Sequence, residues 1–217
     1  MPRLIRTGRP FILLFGLLAL WWLAALLIEA LTGKGRFLLP TPDLVWAAFV
    51  ENPTYFIKGF RVTLIEVVFG LLLGAWLGLC LTIVIAVSKV VRFWLLPLLV
   101  ISQAIPVFAL APLLVQWLGW GLAPKIAMTT LILFFPVTMA FWSALRSVDR
   151  DLVDAGRVYG AERWQLLWRV YLPLALPGGL NGLKAAAAIA PIGAFIGELV
   201  GGQQVGGAYG LGYVILR

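Results

Sequence analysis

Side chains that could do chemistry are few in this sequence. Its 217 residues include no histidine, one cysteine and nine acidic residues. Histidine is the commonest metal ligand and a frequent general base, and most of the acidic residues lie in polar segments between apolar runs. No set of side chains suits acid–base or metal chemistry. We therefore predict no catalytic residue, no metal site and no cofactor, and a membrane-bound enzyme is disfavoured.

Several polar residues lie inside long apolar runs, where a polar or ionisable group is costly and is a candidate for function. We select Gln103, Pro106, Asn181 and Glu198 as candidates for lining a pathway. Glu198 either lines an outer gate or faces water at the membrane interface. Gln103 lies between Pro97 and Pro106, and proline frees backbone groups that only protein or a water-lined cavity can satisfy. A kinked packing helix is the alternative there.

Three charged residues are interpreted as structural or interfacial. Glu66 lies one turn inside its apolar run, with Arg61 five residues earlier as a potential partner. Lys184 lies near the end of another run, from which its side chain is expected to reach the interface. Lys125 is assigned to a loop between two runs.

The elements that must position these residues are membrane spans. Hydrophobic residues make up 62% of the chain and charged residues 12%, with a mean hydropathy of +1.01. A soluble domain is about half apolar and about a quarter charged, so the excess must face lipid. The sequence predicts an all-α, polytopic transmembrane bundle in a single domain, residues 1–217. Its five runs, each near the span length of about 20 residues, are 11–31, 62–87, 93–118, 127–145 and 178–200.

Basic residues set the expected orientation. Ten lie in segments that share a side with the N-terminus, and five lie in the others. Because cytoplasmic loops carry the excess of Lys and Arg, we expect Arg3 inside and Gln203 outside. The basic residues alternate with apolar runs, so the net charge of +8 indicates no nucleic-acid partner. A secondary transporter would show an internal repeat, and these runs show none.

The longest polar segment, residues 146–173, predicts two short helices separated at Gly160. Ser147 or Asp149 caps the first helix. Gly160 suits the left-handed residue that follows its last turn.

Residues 161–171 form the second predicted helix, which Pro173 ends. Ala155 and Gly156 have small side chains and leave a shallow spot on the first helix. A partner could make close contact there.

This segment resembles the cytoplasmic loop of bacterial ABC-importer permeases. In that loop Glu-Ala-Ala is followed by three residues, Gly, nine residues, Ile, one residue and Leu-Pro. Every spacing is kept here, with Asp for Glu, Gly for the second Ala and Val for Ile. The matching positions are Asp154-Ala155-Gly156, Gly160, Val170 and Leu172-Pro173.

The resemblance extends to residues 39–42, 105–112 and 210–213, which look like the branch importing sulfonates, taurine, nitrate and pyrimidine precursors. Residues 190–201 look most like permeases for hydroxymethylpyrimidine, a thiamine precursor. Such a permease would pass a small solute inward from a binding protein. A mainly apolar, glycine-lined pathway favours a neutral pyrimidine, because an anion there would need compensating charge. A sulfonate, taurine or nitrate importer is the alternative.

The resemblance implies a type I ABC-importer permease in the bacterial inner membrane. Its expected partners are a second copy of itself, ATP-binding cassette ATPase subunits and a solute-binding protein. The chain has no phosphate-loop motif and is not expected to bind ATP itself. A sixth span is expected after residue 213; either the sequence is truncated, as we expect, or that span is lost. Bulky substitution at Gly156 is expected to abolish ATPase association. The implied coupling residues are Asp151, Asp154, Ala155, Gly156, Gly160, Leu172 and Pro173.

Overall fold

The computed structural model describes residues 2–33, 38–201 and 204–214, with side chains described from residue 11 onward. The described chain is all-α, as predicted, apart from one isolated bridge between Val205 and Ala208. Its α-helices are α1 (Pro2–Thr32), α2 (Pro42–Glu51), α3 (Pro53–Val87), α4 (Lys89–Ser102), α5 (Ala111–Leu118), α6 (Leu122–Arg146), α7 (Arg150–Val158), α8 (Arg163–Leu166), α9 (Leu172–Gly201) and α10 (Leu211–Val214).

Four helical stretches within the described residues are long and apolar enough to cross a membrane. They are Phe11–Thr32, Pro53–Val87, Leu122–Arg146 and Arg163–Gly201. The predicted third span, 93–118, is different: α4 and the helix that resumes at Val107 meet at 89°. Pro106 explains the break, because its nitrogen has no hydrogen to donate and its ring disfavours a helical residue before it.

The chain divides into two compact units, residues 1–56 and 57–217. In the first unit, the indole nitrogen of Trp21 on α1 donates to the carbonyl of Pro40 at 3.1 Å. The Phe49 ring of α2 lies 5.9 Å from that of Trp46 and 5.6 Å from that of Phe56. None of the residues of α2 is buried.

In the second unit, α3 packs against α6 through glycines spaced four residues apart. A Cβ on Gly74 would lie 2.9 Å from the Cβ of Leu133. A Cβ on Gly78 would lie 2.8 Å from Val137 Cγ1. Small residues let two helix backbones approach closely in a membrane. The four-residue spacing of Gly70, Gly74 and Gly78 in the sequence predicts such an approach by another helix, and the structure confirms it.

Glycines of α9 also pack closely against α6. A Cβ on Gly193 would lie 2.9 Å from Thr129 Cα, and one on Gly197 would lie 3.0 Å from Lys125 Cα. Gly201, four residues further on, also contacts Lys125, so this second set repeats the four-residue spacing of the first and could have been found from the sequence. Helix α6 contributes buried residues to a core that it shares with α9. The shared core contains Leu133, Val137, Phe141, Ala186 and Ala190.

Candidate functional site: the helical loop segment and a buried polar cluster

The loop segment, residues 146–173, begins as predicted. The carboxylate of Asp149 accepts a hydrogen bond from the Asp151 amide at 3.0 Å and so caps α7. Such a cap satisfies an amide that the first helical turn leaves without a partner. Gly160 follows α7 with φ +77°, a left-handed conformation that glycine adopts without a Cβ penalty. Both predictions are confirmed.

The second half of the loop segment differs from its prediction. Pro173 does not end a helix: α8 continues through a π-helical turn, Leu167–Tyr171, directly into α9. Pro173 lies directly after this π turn, inside a continuous helical stretch, where its nitrogen has no hydrogen to donate. The wider π turn before it gives room where a proline ring would crowd the preceding turn of an α-helix.

Gly156 packs against another residue of the same chain rather than facing outward to a partner. A Cβ there would lie 2.7 Å from Leu166 Cδ2, and Leu166 is buried. Val153, one turn earlier on α7, is also buried. Gly156 therefore lets α7 pack closely against α8, and the shallow spot predicted around it faces Leu166. A large residue at this position would disturb the loop segment itself as well as any partner.

A different surface of α7 is open, and we call it the loop face. It consists of Leu152, Ala155, Val158 and Tyr159, whose three-to-four-residue spacing places them along one side of the helix and its end. Val158 is 86% exposed and Tyr159 is 90% exposed. Asp154, beside this face, is exposed and pairs with Arg157 at 2.7 Å. An apolar patch rimmed by polar residues is typical of a protein–protein contact site.

The four pathway candidates do not share one environment. Gln103 and Pro106 are exposed at the break between α4 and α5, and Asn181 is exposed on α9. Glu198, also on α9, is fully buried at 0% exposure. A role for these residues in a pathway stays a prediction.

Glu198 belongs to a buried polar cluster, which we define as Thr63, Glu66, Lys125 and Glu198. Glu198 accepts hydrogen bonds from the Thr63 hydroxyl and from the amide of Gly212, each at 2.5 Å. The amide of Leu211 donates to the Thr63 oxygen at 2.9 Å. One carboxylate thus connects α9 to α3 and to the backbone of α10.

The cluster also contains a buried ion pair that the sequence interpretation missed. Lys125 Nζ lies 3.3 Å from Glu66 Oε1, and these residues are 1% and 0% exposed. Arg61, the predicted partner of Glu66, is exposed instead. The apolar run was predicted to begin after Lys125, at residue 127, but α6 begins at Leu122 and Lys125 lies in its first turn. Removing one partner of a buried ion pair typically costs about 3–5 kcal/mol.

The fold defines a polytopic helical membrane protein with a helical loop segment, partly exposed, between two of its spans. A family model described as "Binding-protein-dependent transport system inner membrane component" matches residues 70–216, and the chain belongs to this family. It is thus a multi-pass inner-membrane component of an ABC importer, and the predicted permease resemblance is confirmed.

Curated relatives agree with this assignment. "Probable ABC transporter permease protein" of Haemophilus influenzae is 39% identical over 98% of this chain and 83% of its own. "Formylaminopyrimidine transport permease protein ThiX" of Halalkalibacterium halodurans is 34% identical over 100% of this chain and 83% of its own. "Riboflavin transport system permease protein RibX" of Chloroflexus aurantiacus is 36% identical over 90% of this chain and 72% of its own.

A solved structure shares the fold. A chain of the MetNI methionine ABC transporter, in an inward-facing conformation, aligns with a TM-score of 0.63 at 23% identity. The alignment covers 75% of this chain and 79% of that one. The predicted type I permease architecture is therefore confirmed.

Proposed function

We propose that this permease subunit imports a thiamine-precursor pyrimidine, such as hydroxymethylpyrimidine, that a solute-binding protein delivers. The relative named for formylaminopyrimidine, which aligns along the whole chain, supports this substrate class. The buried carboxylate of Glu198 is already hydrogen-bonded, and Lys184 is exposed on α9. A neutral, planar solute needs no charged partner in such a pathway, whereas an anion does.

A sulfonate is the second candidate. A relative named for aliphatic sulfonates, from Bacillus subtilis, is 32% identical over 82% of this chain. Backbone amides at helix ends can bind anions without a basic side chain. A helix resumes at Val107 after the break at Pro106 and offers such an end.

Uptake into proteoliposomes that contain the permease, its ATPase and its binding protein separates these substrates. Radiolabelled hydroxymethylpyrimidine is expected to accumulate, and an alkanesulfonate is not. Accumulation of the alkanesulfonate alone would overturn the proposed substrate and leave the importer assignment intact. The matched control is the same vesicle preparation without the binding protein.

The assembly we propose is a homodimer of this chain bound to two ATPase subunits. Gln103, Pro106 and Asn181 are polar or helix-breaking residues exposed on the surface of one copy. A pathway between two copies would enclose such residues away from lipid, which a pathway within one copy would not. The loop face, with Tyr159 at its end, would contact the ATPase.

We propose that the N-terminus and the loop segment lie in the cytoplasm. Lys125 is buried in an ion pair, so the outer segments keep four basic residues, five minus one, against ten inside. Gln203, predicted to lie outside, falls beyond the described residues, and Gln204 next to it is exposed. In a Cys80→Ala background, an impermeant maleimide added outside is expected to label Gln204→Cys and not Arg157→Cys. Labelling of both from one side would contradict this topology.

A further inference from the structure

The polar cluster lies at the end of the bundle opposite the loop segment. Helix α6 starts beside Lys125 and leads into the loop segment at its other end, and α9 returns from there to Glu198. Glu66 and Thr63 lie in the first half of α3. The cluster therefore joins one end of three membrane spans. Through Gly212 it also holds the short helix α10.

Glycines in the backbone around the cluster leave space for its side chains. A Cβ on Gly212 would lie 2.8 Å from Glu198 Oε2, and a Cβ on Gly210 would overlap the same carboxyl group. A Cβ on Gly201 would lie 3.3 Å from Lys125 Cε. Glycine at these positions leaves room for a carboxylate and for the lysine methylenes. The site is thus assembled from both its side chains and the backbone that surrounds them.

Among the described residues, a buried ion pair and a buried, hydrogen-bonded carboxylate distinguish this end of the bundle. Further along, α3 meets α6 through glycines, apolar side chains and hydrogen bonds to backbone, such as that from the Thr82 hydroxyl to the Thr138 carbonyl at 3.2 Å. Parting Glu198 from Thr63 and Gly212 would leave buried polar groups without hydrogen bonds, and parting Lys125 from Glu66 would leave two buried charges unpaired. Unsatisfied polar and charged groups are expensive where water is excluded.

We propose that Thr63, Glu66, Lys125 and Glu198 are positioning residues that fasten three spans and α10 into one rigid body during transport. The relative movement that opens and closes the pathway then occurs elsewhere in the chain. Helices α4 and α5, which meet at 89° across the 103–106 break, can change their angle without separating any bond of the cluster. This inference is independent of which solute is carried.

A disulfide between α3 and α10 tests the rigid body and keeps all four side chains of the cluster. A Cβ on Gly59 would lie 3.4 Å from Val214 Cγ2, so cysteines at these two positions lie close enough to be joined. The Gly59→Cys/Val214→Cys pair, in a Cys80→Ala background, is oxidised in the reconstituted importer. Binding-protein-stimulated ATP hydrolysis should stay within about twofold of the reduced sample, because rigid-body motion does not change distances inside the body. A loss of about tenfold or more that dithiothreitol reverses would overturn the proposal.

A second experiment removes the positive charge of Lys125. Lys125→Met is expected to slow oxidation of the 59–214 pair severalfold, because two carboxylates then face each other without a cation. The charge-swapped pair Glu66→Lys/Lys125→Glu should recover part of the rate. Lys184→Met removes an exposed lysine and is the control. Equal oxidation rates in Lys125→Met and Lys184→Met would show that the cluster does not position α10, and would also overturn the proposal.

Discussion

Replacing Tyr159 with aspartate is expected to separate the permease from its ATPase while leaving the permease folded in the membrane. The Tyr159 side chain is 90% exposed at the end of α7, so its replacement removes little internal packing. A buried aromatic anchor in a protein interface typically contributes about 2 kcal/mol or more, and aspartate would place an unpaired charge there. We expect about a tenfold or larger loss of ATPase co-purified with the tagged permease.

Val90→Asp is the matched control for this substitution. Val90 is an apolar residue, 70% exposed, near the start of α4 in another predicted inner segment, and it lies outside the loop face. Normal ATPase recovery with Val90→Asp and a loss with Tyr159→Asp would localise the contact. Unchanged recovery with Tyr159→Asp would exclude the loop face as the ATPase contact. Gly156→Trp is a weaker test than the sequence suggests, because a side chain there also displaces Leu166.

Replacing Gly74 with leucine is expected to prevent accumulation of the folded protein. Even a Cβ at this position would lie 2.9 Å from Leu133 Cβ, and Leu133 is fully buried. Overpacking a close-packed core costs about 1–3 kcal/mol for small additions, and leucine adds a whole branched side chain between two helix backbones. The amount of permease in membranes and its thermal unfolding midpoint in detergent measure the effect.

Gly16→Leu is the control for crowding at a glycine. No atom lies within 4 Å of a Cβ built on Gly16, which is exposed on α1. Leucine has the higher helix propensity, so this variant should accumulate normally. A Gly74→Leu protein that accumulates and unfolds like its Gly16→Leu counterpart would show that α3 and α6 do not need close approach.

Features encoded by neighbouring residues could be predicted from the sequence. The apolar runs, the Asp149 cap and the left-handed Gly160 each depend on local composition or on a single backbone conformation. The Gly74 contact was predictable because a four-residue spacing puts small residues on one helix face. The residues that match the ABC-importer loop also lie in one uninterrupted segment of the chain, so their spacing could be read directly.

Features that depend on distant parts of the chain were not predictable in this way. Lys125 and Glu66 lie on different spans, and nothing in the local sequence pairs them. Glu198 has an equally remote partner in Thr63, so its burial could not be separated from exposure to a pathway. The contact of Gly156 with Leu166 depends on how two short helices fold back on each other. Local sequence patterns therefore do not predict such contacts.

We propose that ATP hydrolysis by a partner, transmitted through the loop face, drives solute through this chain. ATP-dependent uptake by proteoliposomes containing the complete importer tests it most directly. We expect wild-type and Val90→Asp vesicles to accumulate the solute only with ATP and binding protein, and Tyr159→Asp vesicles to accumulate almost none. Accumulation that proceeds without ATP, or equally well with Tyr159→Asp, would contradict the claim.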